Sequence, residues 1–322
     1  MASNGCAIGV DLGGTKIVTA LVDGTGRVQG FIRNPTDVRG GYPAVRDQII
    51  MLVKELIKDS RVPVCGIGIG VAGQTEPKTG LVRFAPNLDW HDAPLGEDLR
   101  AAMGLPVAVT NDVRAATWGE WFYGAGKGCD DLLCLFVGTG IGGGIVSGGR
   151  MLTGCSNTAG EVGHITVDIN GPVCTCGKRG CMEAIAGGWA MGERARRAVR
   201  ARPQDGMLLL AKADGDVANV TGKTVSEAFR LGDPLAREII EETVAGLVAG
   251  AVSMVNAFNP CRIILGGGVI EGMPELVGRV DKGVREQALE AATRSLSVVR
   301  ASLGNDAGVI GAAAFAMRSF QG

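Results

Sequence analysis

The sequence predicts an α/β protein of two domains, and three observations support this class. The chain has 322 residues, which is enough for two domains that each bury a core. Short apolar segments typical of strands alternate with longer segments of helical spacing. One layout also occurs twice, at residues 7–22 and 132–146: an apolar strand, a glycine-rich turn and a second apolar strand. We interpret this repeat as a weak internal duplication with one hairpin in each domain.

The first repeat opens the first domain. Residues 7–10 are a predicted strand, residues 11–16 a tight turn and residues 17–22 a second strand. The spacing of apolar residues then predicts, in chain order, a strand at 27–33, a helix at 43–58, a strand at 64–71, a helix at 95–103, a strand at 107–110 and a helix at 113–122.

The second repeat opens the second domain. Residues 132–137 and 145–146 are predicted strands on either side of a glycine turn. A long helix at 234–257, strands at 262–265 and 297–301 and a final helix at 309–320 follow. The predicted division is residues 1–112 plus about 302–322 as a small domain, with Asp112 at the hinge, and residues 113–301 as a large domain.

Composition excludes several classes of function. A net charge of −1 and an aromatic content of 4% argue against a nucleic-acid binder or a protein drawn to anionic membranes. The sequence shows neither a signal peptide nor a long apolar span. The nine cysteines are odd in number and mostly lie singly in apolar runs, which does not indicate a disulfide framework. A reducing cytoplasm is the predicted location.

The strongest single signal is a cluster of one histidine and three cysteines. The chain has only two histidines. One of them, His164, lies ten residues before Cys174, the first cysteine of a group that also contains Cys176 and Cys181. One imidazole and three thiolates are the ligand set of a closed, tetrahedral structural zinc site. The alternative, three free thiols and a core histidine, is less favoured because so regular a cluster is uncommon by chance.

Two acids bracket this cluster. Glu161 precedes His164 by three residues, and Glu183 follows Cys181 by two. A metal that orders the segment would therefore also fix two carboxylates in space. The cluster predicts a binding site as well as a structural element.

The first glycine turn has a sequence suited to phosphate. Backbone N–H groups around Gly13 and Gly14 and the hydroxyl of Thr15 can contact phosphate oxygens. Lys16 adds positive charge, and Asp11 can hold Mg²⁺ directly or through water. An ordinary Asp/Gly hairpin turn is the alternative, and this turn alone does not distinguish the two.

The second glycine turn contains Gly138, Thr139 and Gly140 within a formal G-x-G-x-x-G pattern. A dinucleotide-binding fold requires a helix to begin at that pattern. Residues 144–149 instead have the sequence of a strand and a turn. A second phosphate-binding hairpin fits better, and the pairing of two such hairpins favours phosphate binding at both.

Asn111 and Asp112 lie where a predicted strand ends and a helix begins. Both residue types are favoured helix N-caps, which is the simpler interpretation. The capping box is incomplete, however, since Ala115 stands where Glu or Gln would complete it. A carboxylate at the carboxyl end of a strand is also where α/β enzymes place catalytic groups.

A basic run at residues 194–202 could bind an anion. Alanine and valine are interspersed among its arginines at helical spacing. A solvated helix face is therefore the favoured interpretation.

Together these motifs closely resemble the ROK family (repressors, open reading frames and sugar kinases), which belongs to the actin/hexokinase-like ATPases. The resemblance runs from Ile8 to the segment 308–313, nearly the whole chain. Residues 84–90, Phe-Ala-Pro-Asn-Leu-Asp-Trp, are similar to the corresponding segment of the family's bacterial glucokinases. The other segments that carry the resemblance are 11–16, 111–112, 138–144, 161–164, 174–183 and 266–269.

The resemblance implies a two-domain actin/hexokinase-like ATPase fold, with duplicated ribonuclease H-like domains and a cleft between them. It implies that ATP, Mg²⁺ and a structural Zn²⁺ are the cofactors. The nucleotide and its phosphates would be bound by Asp11, Gly13, Gly14, Thr15, Lys16, Gly138, Thr139, Gly140, Gly266, Gly267 and Gly268. The sugar would be bound by Gly73, Asn87, Asn111, Asp112, Glu161, His164 and Glu183. The metal would be bound by His164, Cys174, Cys176 and Cys181.

The implied activity is transfer of a phosphoryl group from MgATP to the 6-hydroxyl of a hexose, with glucose favoured and Asp112 as the catalytic base. The same carboxylates would serve an N-acetylglucosamine or N-acetylmannosamine kinase, which needs more room near the sugar 2-position. ATP is favoured over polyphosphate as donor. The implied partners are a hexose, ATP and a second copy of the chain, without nucleic acid or membrane.

A sugar-responsive transcriptional regulator is the alternative from another class. Regulators of this family carry an N-terminal helix-turn-helix, for which no space precedes the first phosphate motif at Asp11. The net charge also gives no basic footprint for DNA.

Overall fold

The structure is a computed structural model and describes residues 5–58 and 60–320. Its strands are β1 (Cys6–Leu12), β2 (Lys16–Asp23), β3 (Val28–Pro35), β4 (Val64–Val71), β5 (Gln74–Glu76), β6 (Leu81–Ala85), β7 (Trp90–Ala93), β8 (Val107–Asn111), β9 (Leu132–Val137), β10 (Ile141–Ser147), β11 (Arg150–Met151), β12 (Arg262–Gly266) and β13 (Ser297–Arg300). Its helices are α1 (Gly41–Lys58), α2 (Leu95–Met103), α3 (Asp112–Phe122), α4 (Met182–Ala186), α5 (Gly188–Ala201), α6 (Met207–Lys212), α7 (Gly222–Arg230), α8 (Pro234–Phe258), α9 (Gly268–Gly272), α10 (Leu276–Gln287), α11 (Glu290–Thr293) and α12 (Ala307–Phe320).

The chain forms two units, each built on a five-stranded sheet. Of the described residues, the first unit contains 5–58, 60–128, 153–159 and 302–320, and the second contains 129–152 and 160–301. The first sheet has the strand order β3-β2-β1-β4-β8, and the second has the order β11-β10-β9-β12-β13. In each sheet three antiparallel strands are followed by two parallel pairings. The two sheets therefore share one topology, which confirms the predicted duplication.

Helix α12 lies directly on the backbone of the first sheet. It packs against α3, β1 and β4. Gly9 of β1 and Gly68 of β4 face it, and a methyl group on either would overlap the carbonyl of Val309 or Ala312. Gly311 of α12 meets the carbonyl of Ala115 on α3 in the same way. Glycine is required at these positions because backbone approaches backbone, not because of a positive φ.

The division of the chain differs from the predicted one at its first boundary. The prediction places it after residue 112, whereas the first unit extends to Gly128. Helix α3 belongs to the first unit because it packs on α12 and β4. Residues 153–159 also join this unit: buried Arg114 donates to Asn157 Oδ1 at 2.6 Å and to the Asn157 and Ala159 carbonyls, each at 3.1 Å.

A buried carboxylate joins the two ends of the first unit. Glu120, on α3, is fully buried and accepts hydrogen bonds from the backbone N–H groups of Ala125, Ser302 and Leu303 at 2.8–2.9 Å. These donors flank the points where the chain leaves and re-enters the unit. A buried charge is stable here because several donors compensate its desolvation.

The core of the second unit is organised around α8. Asp233 is its N-cap and accepts a hydrogen bond from the Ala236 N–H at 2.9 Å, and Pro234 occupies the first helical turn. Both are favoured helix-start residues. The apolar face of α8 is buried together with α5, α7, α10 and the second sheet.

One pair of cysteines forms a disulfide, Cys129 with Cys261. The composition did not indicate a disulfide framework, and this single bond is not one. The two residues precede β9 and β12, which pair in parallel with Leu132 opposite Arg262. Their approach is therefore set by sheet register, which the cysteine spacing does not reveal.

Within residues 5–58 and 60–320, none of the helices combines the length and the apolar character that crossing a membrane requires.

The glycine contact of α12 generates a stability prediction. Gly68→Ala should destabilise the protein by about 1–3 kcal/mol, because the added methyl group forces α12 off the sheet. Gly278→Ala is the matched control, since Gly278 lies on α10 with open space around it and should be neutral or stabilising by up to about 1 kcal/mol. Urea unfolding midpoints check both variants. Equal midpoints would contradict the packing argument.

Candidate active site

The first glycine turn connects β1 and β2 and is tightly held. The Gly13 N–H donates to the Lys16 carbonyl at 3.0 Å, and the Thr36 hydroxyl donates to the Gly13 carbonyl at 2.7 Å. Asn87 lies directly against Gly14, where a methyl group would overlap the Asn87 backbone. The structure thus brings Asn87, a predicted sugar ligand, onto the predicted phosphate turn, where Thr15 and Lys16 are exposed.

Two acids face each other across the carboxyl ends of the first sheet. Asp11 lies near the end of β1 and Asp112 directly follows β8, with β4 between these strands. Gly70 of β4 packs directly against the first turn of α3, where a methyl group would lie 2.9 Å from the Ala115 Cβ and 3.4 Å from the Asp112 Cα. Burial, reinforced by the negative charge of Asp112 and opposed by Lys16, raises the pKa of Asp11 to about 6.

Asn111 is the N-cap of α3, as the simpler sequence interpretation predicts. Its Oδ1 accepts hydrogen bonds from the N–H groups of Val113 at 3.0 Å and Arg114 at 3.1 Å. Its Nδ2 donates to the carbonyl of Gly73 at 3.3 Å. The cap therefore fixes the first turn of α3, including Asp112, and links it to Gly73.

The second glycine turn connects β9 and β10 and is bound to the start of α5. The N–H groups of Gly188 and Trp189 donate to the carbonyls of Gly138 and Thr139, each at 2.9 Å. The Gly138 N–H donates to the Gly140 carbonyl at 2.9 Å. These bonds hold the turn against the N-terminal end of α5.

Glu183 connects this turn to residues 174–181, the cysteine segment. It lies in the first turn of α4 and is only 9% exposed. Its Oε2 accepts a hydrogen bond from the Ile141 N–H at 2.9 Å, and its Oε1 accepts from Thr175 Oγ1 and Trp189 Nε1, each at 3.2 Å. Cys174 Sγ is a fourth donor and reaches Oε1 at 3.9 Å. Oε2 accepts only from the Ile141 N–H among these donors, so one of its two acceptor sites is left for a ligand.

The predicted metal ligands converge. The ligand atoms of His164, Cys174, Cys176 and Cys181 all lie within 4.8 Å of one another. The Cys176 and Cys181 sulfurs are 3.7 Å apart, as are Cys174 Sγ and His164 Nδ1. Four ligands about 2.3 Å from a zinc ion at tetrahedral corners lie about 3.8 Å apart. The donor set and its spacing therefore fit a tetrahedral metal ion.

The acid on the other side of the cluster is exposed. Glu161 precedes the short 3₁₀ turn Val162–His164, and the His164 N–H donates to its carbonyl at 3.1 Å. Its backbone is thus fixed close to a predicted metal ligand, while its side chain faces solvent.

A cavity of about 940 Å³ opens in the second unit beside the glycine turn. This volume is within the range of small-molecule sites. It is lined by Gly138, Thr139, Gly188, Trp189, Gly192, Glu193, Arg196, Thr221, Gly222, Lys223, Ser226, Glu227, Arg230, Gly268, Val269, Glu271 and Gly272.

Three of the predicted nucleotide-binding glycines, Gly266, Gly267 and Gly268, have different positions. Gly268 lines the cavity at the start of α9. Gly266 and Gly267 instead pack against β9, where methyl groups would overlap Phe136 and the Val137 backbone. Gly267 also has a φ of 87°, so the turn that presents Gly268 requires glycine.

Part of the basic run on α5 is not a solvated face. Arg196 lines the cavity, donates to the Val220 carbonyl at 2.7 Å and pairs with Glu193. Arg194 donates to the Ile185 carbonyl and to Thr243 Oγ1 across the interior of the unit. The prediction of a solvated face was wrong for these two residues, because α8 and the residues before α7 cover one side of α5. Trp189 and Arg196 were not predicted as site residues.

The shared sheet topology, the two glycine turns and the acid at the end of β8 define an actin/hexokinase-like ATPase fold. The ROK family model matches residues 7–319, and the chain belongs to the ROK family. It is 36% identical over 312 residues to a glucokinase of Streptomyces coelicolor, covering 96% of each chain. It is 32% identical over 320 residues to an N-acetylmannosamine kinase of Escherichia coli, covering 96% of this chain and 98% of that one. A ROK family glucokinase from Streptomyces griseus, solved with glucose and AMPPNP, matches with 38% identity and a TM-score of 0.82, covering 98% of this chain and 100% of that one.

The paired acids generate a pH prediction. Asp112→Asn should lower the pKa of Asp11 in the metal-free protein, because one of the charges that raises it is removed. Burial is the larger cause, so the pKa should stay above the ordinary value of 3.8. Because the folded-state pKa is raised, ionising Asp11 disfavours folding as the pH rises from about 4 to 6, and the variant should show less of this loss. Carboxyl ¹³C titration by NMR measures the shift, and an unchanged Asp11 pKa would mean that the two acids do not interact.

Proposed function

We propose that the chain is an ATP-dependent hexokinase that phosphorylates glucose at its 6-hydroxyl, giving glucose 6-phosphate and ADP. The observation that carries the proposal is the pair Asp11 and Asp112 at the carboxyl ends of two parallel strands of one sheet, beside a glycine turn suited to phosphate. The named activities of the Streptomyces relatives support glucose as acceptor and ATP as donor.

Asp112 is the proposed general base. Its carboxylate accepts the proton of the 6-hydroxyl as that oxygen forms a bond to the γ-phosphorus, and the bond from the γ-phosphorus to the β,γ-bridging oxygen breaks. ADP leaves with the electron pair of that bond. The Asn111 cap fixes the first turn of α3, so the base is held by backbone hydrogen bonds rather than by a flexible loop.

Asp11 is the proposed anchor for Mg²⁺. Burial and the charge of Asp112 raise the pKa of this carboxyl, and a bound cation would lower it again, because the cation would offset both effects. Bound Mg²⁺ would neutralise charge on the phosphates. The backbone N–H groups of the first turn, with Thr15 and Lys16, would contact phosphate oxygens from this unit.

The cavity in the second unit is the proposed nucleotide site. Thr139 and Gly140 would contact phosphates through backbone N–H groups, whereas the Gly138 N–H closes the turn by donating to the Gly140 carbonyl. Gly268, at the start of α9, would contact the nucleoside. The basic side chains of the cavity wall (Arg196, Lys223 and Arg230) are balanced by three acids (Glu193, Glu227 and Glu271), so the proposed phosphate contacts rest on the N–H groups of the turn rather than on net charge.

The proposed sugar ligands have limited free hydrogen-bonding capacity. Asn111 uses Oδ1 for the helix cap and one amide hydrogen for the Gly73 carbonyl, so its second amide hydrogen is the group available to a hydroxyl. Glu183 retains about one acceptor site, whereas Glu161 is exposed. His164 turns Nδ1 toward the cysteines, which leaves Nε2 for the sugar. Gly73 and Asn87 would contribute through backbone and amide groups.

The cluster His164, Cys174, Cys176 and Cys181 is a proposed structural zinc site. Bound zinc would fix the segment that carries Thr175 and Glu183, and would orient the imidazole of His164. Four protein ligands leave no position for a reacting group, so the proposed role is structural.

Amino sugars are the second candidate substrates. The similarity to an N-acetylmannosamine kinase favours them, and the same carboxylates would serve. The homodimer inferred from the family resemblance stays a prediction, as does ATP rather than polyphosphate as donor.

Sugar specificity provides the test of the function. Purified protein with MgATP should release ADP fastest with glucose, and more slowly with N-acetylglucosamine, N-acetylmannosamine, mannose and fructose. A coupled ADP assay measures each rate. Faster turnover of an N-acetylated sugar would transfer the proposal to amino sugars, and a lack of any hexose-stimulated turnover would contradict it.

The base is tested separately. Asp112→Asn should retain glucose binding and lose kcat by about 10² or more, because the amide cannot accept the proton. Asp47→Asn, which changes an exposed acid on α1, is the matched control and should match the wild type. Glucose titration by calorimetry gives the affinity for glucose, and steady-state kinetics give kcat. Near-normal kcat in Asp112→Asn would remove Asp112 from this role.

The metal site is tested by measuring the zinc content of the purified protein. The purified protein should carry one zinc per chain, and Cys176→Ser should lose most of it, because a neutral hydroxyl replaces a thiolate ligand. Cys155→Ser, which changes an exposed cysteine outside the cluster, should retain the zinc. Elemental analysis after dialysis measures the zinc content of each variant. Equal zinc content in both variants would contradict the assignment.

A further inference from the structure

Trp189 contacts two functional features of the second unit at once, the proposed metal cluster and the cavity. It is the sole tryptophan of residues 129–301. Its ring packs against the buried cluster formed by Cys174, Cys181 and Ala184, two of which are proposed metal ligands. It also lines the cavity proposed to hold the nucleotide. One rigid side chain therefore forms a wall shared by the metal cluster and the cavity.

Polar contacts hold the indole in this position. Nε1 donates to Glu183 Oε1 at 3.2 Å, and the Trp189 backbone N–H donates to the Thr139 carbonyl at 2.9 Å. Glu183 Oε1 also accepts from Thr175, which lies between two of the cysteines, at 3.2 Å. Glu183 Oε2 accepts from the Ile141 N–H on the far side of the glycine turn. The indole, the cysteine segment and the turn thus share one carboxylate.

We propose that Trp189 is a positioning residue through which occupancy of the metal site sets nucleotide affinity. The inference rests on the proposed function, since it takes the cavity to be the nucleotide site. A metal ion fixes Cys174 and Cys181, which support the indole ring, and orders Thr175, which shares Glu183 with the indole nitrogen. Without the ion, the ring loses its support and the wall of the cavity at Thr139 becomes mobile.

The coupling should be measurable as a change in binding. Wild-type protein with zinc should bind a non-hydrolysable ATP analogue with Mg²⁺ about tenfold more tightly than the same protein after chelation, within the usual range of coupling between sites. Trp189→Ala should bind the analogue weakly with or without zinc, so that the ratio approaches one. Trp118→Ala, which changes a half-buried tryptophan of the first unit, should keep the wild-type ratio. Calorimetry without sugar gives all values.

A second measurement uses only metal-loaded protein, so its result does not depend on whether the metal-free protein folds. Cobalt replaces zinc in such sites and gives visible absorption bands that respond to ligand geometry. Because Trp189 contacts both the cavity and two of the proposed metal ligands, the analogue should shift these bands in wild-type protein and not in Trp189→Ala. Trp189→Phe, which keeps the packing on the cysteines but not the N–H group, should show a smaller shift. A merely structural tryptophan would not alter the cobalt spectrum in response to nucleotide.

Failure of this inference differs from failure of the proposed function. Analogue binding that is equally tight with and without metal, or cobalt bands that do not respond to saturating analogue, would overturn the coupling and leave the kinase proposal intact. An absence of analogue binding by the zinc-loaded wild type would overturn the nucleotide site itself.

Discussion

The first unit depends on one constraint, the direct contact between the backbone of α12 and the glycines of β1 and β4. A side chain at Gly9 or Gly68 would displace this helix. The same helix meets α3 through Gly311, so the position of α3 depends on the same contact. Because Asp11 lies on β1 and Asp112 begins α3, the geometry of the acid pair depends on a helix about two hundred residues later in the sequence.

The second unit depends on a carboxylate rather than on glycine packing. Glu183 accepts hydrogen bonds from the cysteine segment, the glycine turn and the start of α5. Three charge-assisted hydrogen bonds compensate the burial of its charge. The two proposed functional regions are therefore held in place by different interactions. Close packing of backbones positions the acid pair, whereas hydrogen bonds to a buried carboxylate position the residues beside the cavity.

Local patterns predicted the elements that local physics determines. Apolar runs around glycine turns predicted both hairpins, and Asn111 was correctly interpreted as a helix cap. Three features depend on which elements pack together: the unit boundary at Gly128, the partly buried side of α5 and the Cys129–Cys261 pairing. The periodicity of a single segment therefore cannot predict them. Trp189 escaped prediction for the same reason, since its neighbours are contributed by residues 139, 174 and 181.

The insertion of the second unit into the first has a consequence for synthesis on the ribosome. Glu120 joins residues near 125 to residues 302 and 303, and α12 covers the glycine face of a sheet made almost two hundred residues earlier. The first unit therefore lacks part of its interior until the last helix emerges, whereas the final strand of the second unit is already translated. Since domains fold as units, the nascent chain should acquire native structure from its middle outward, and its N-terminal sheet should be the segment most in need of protection.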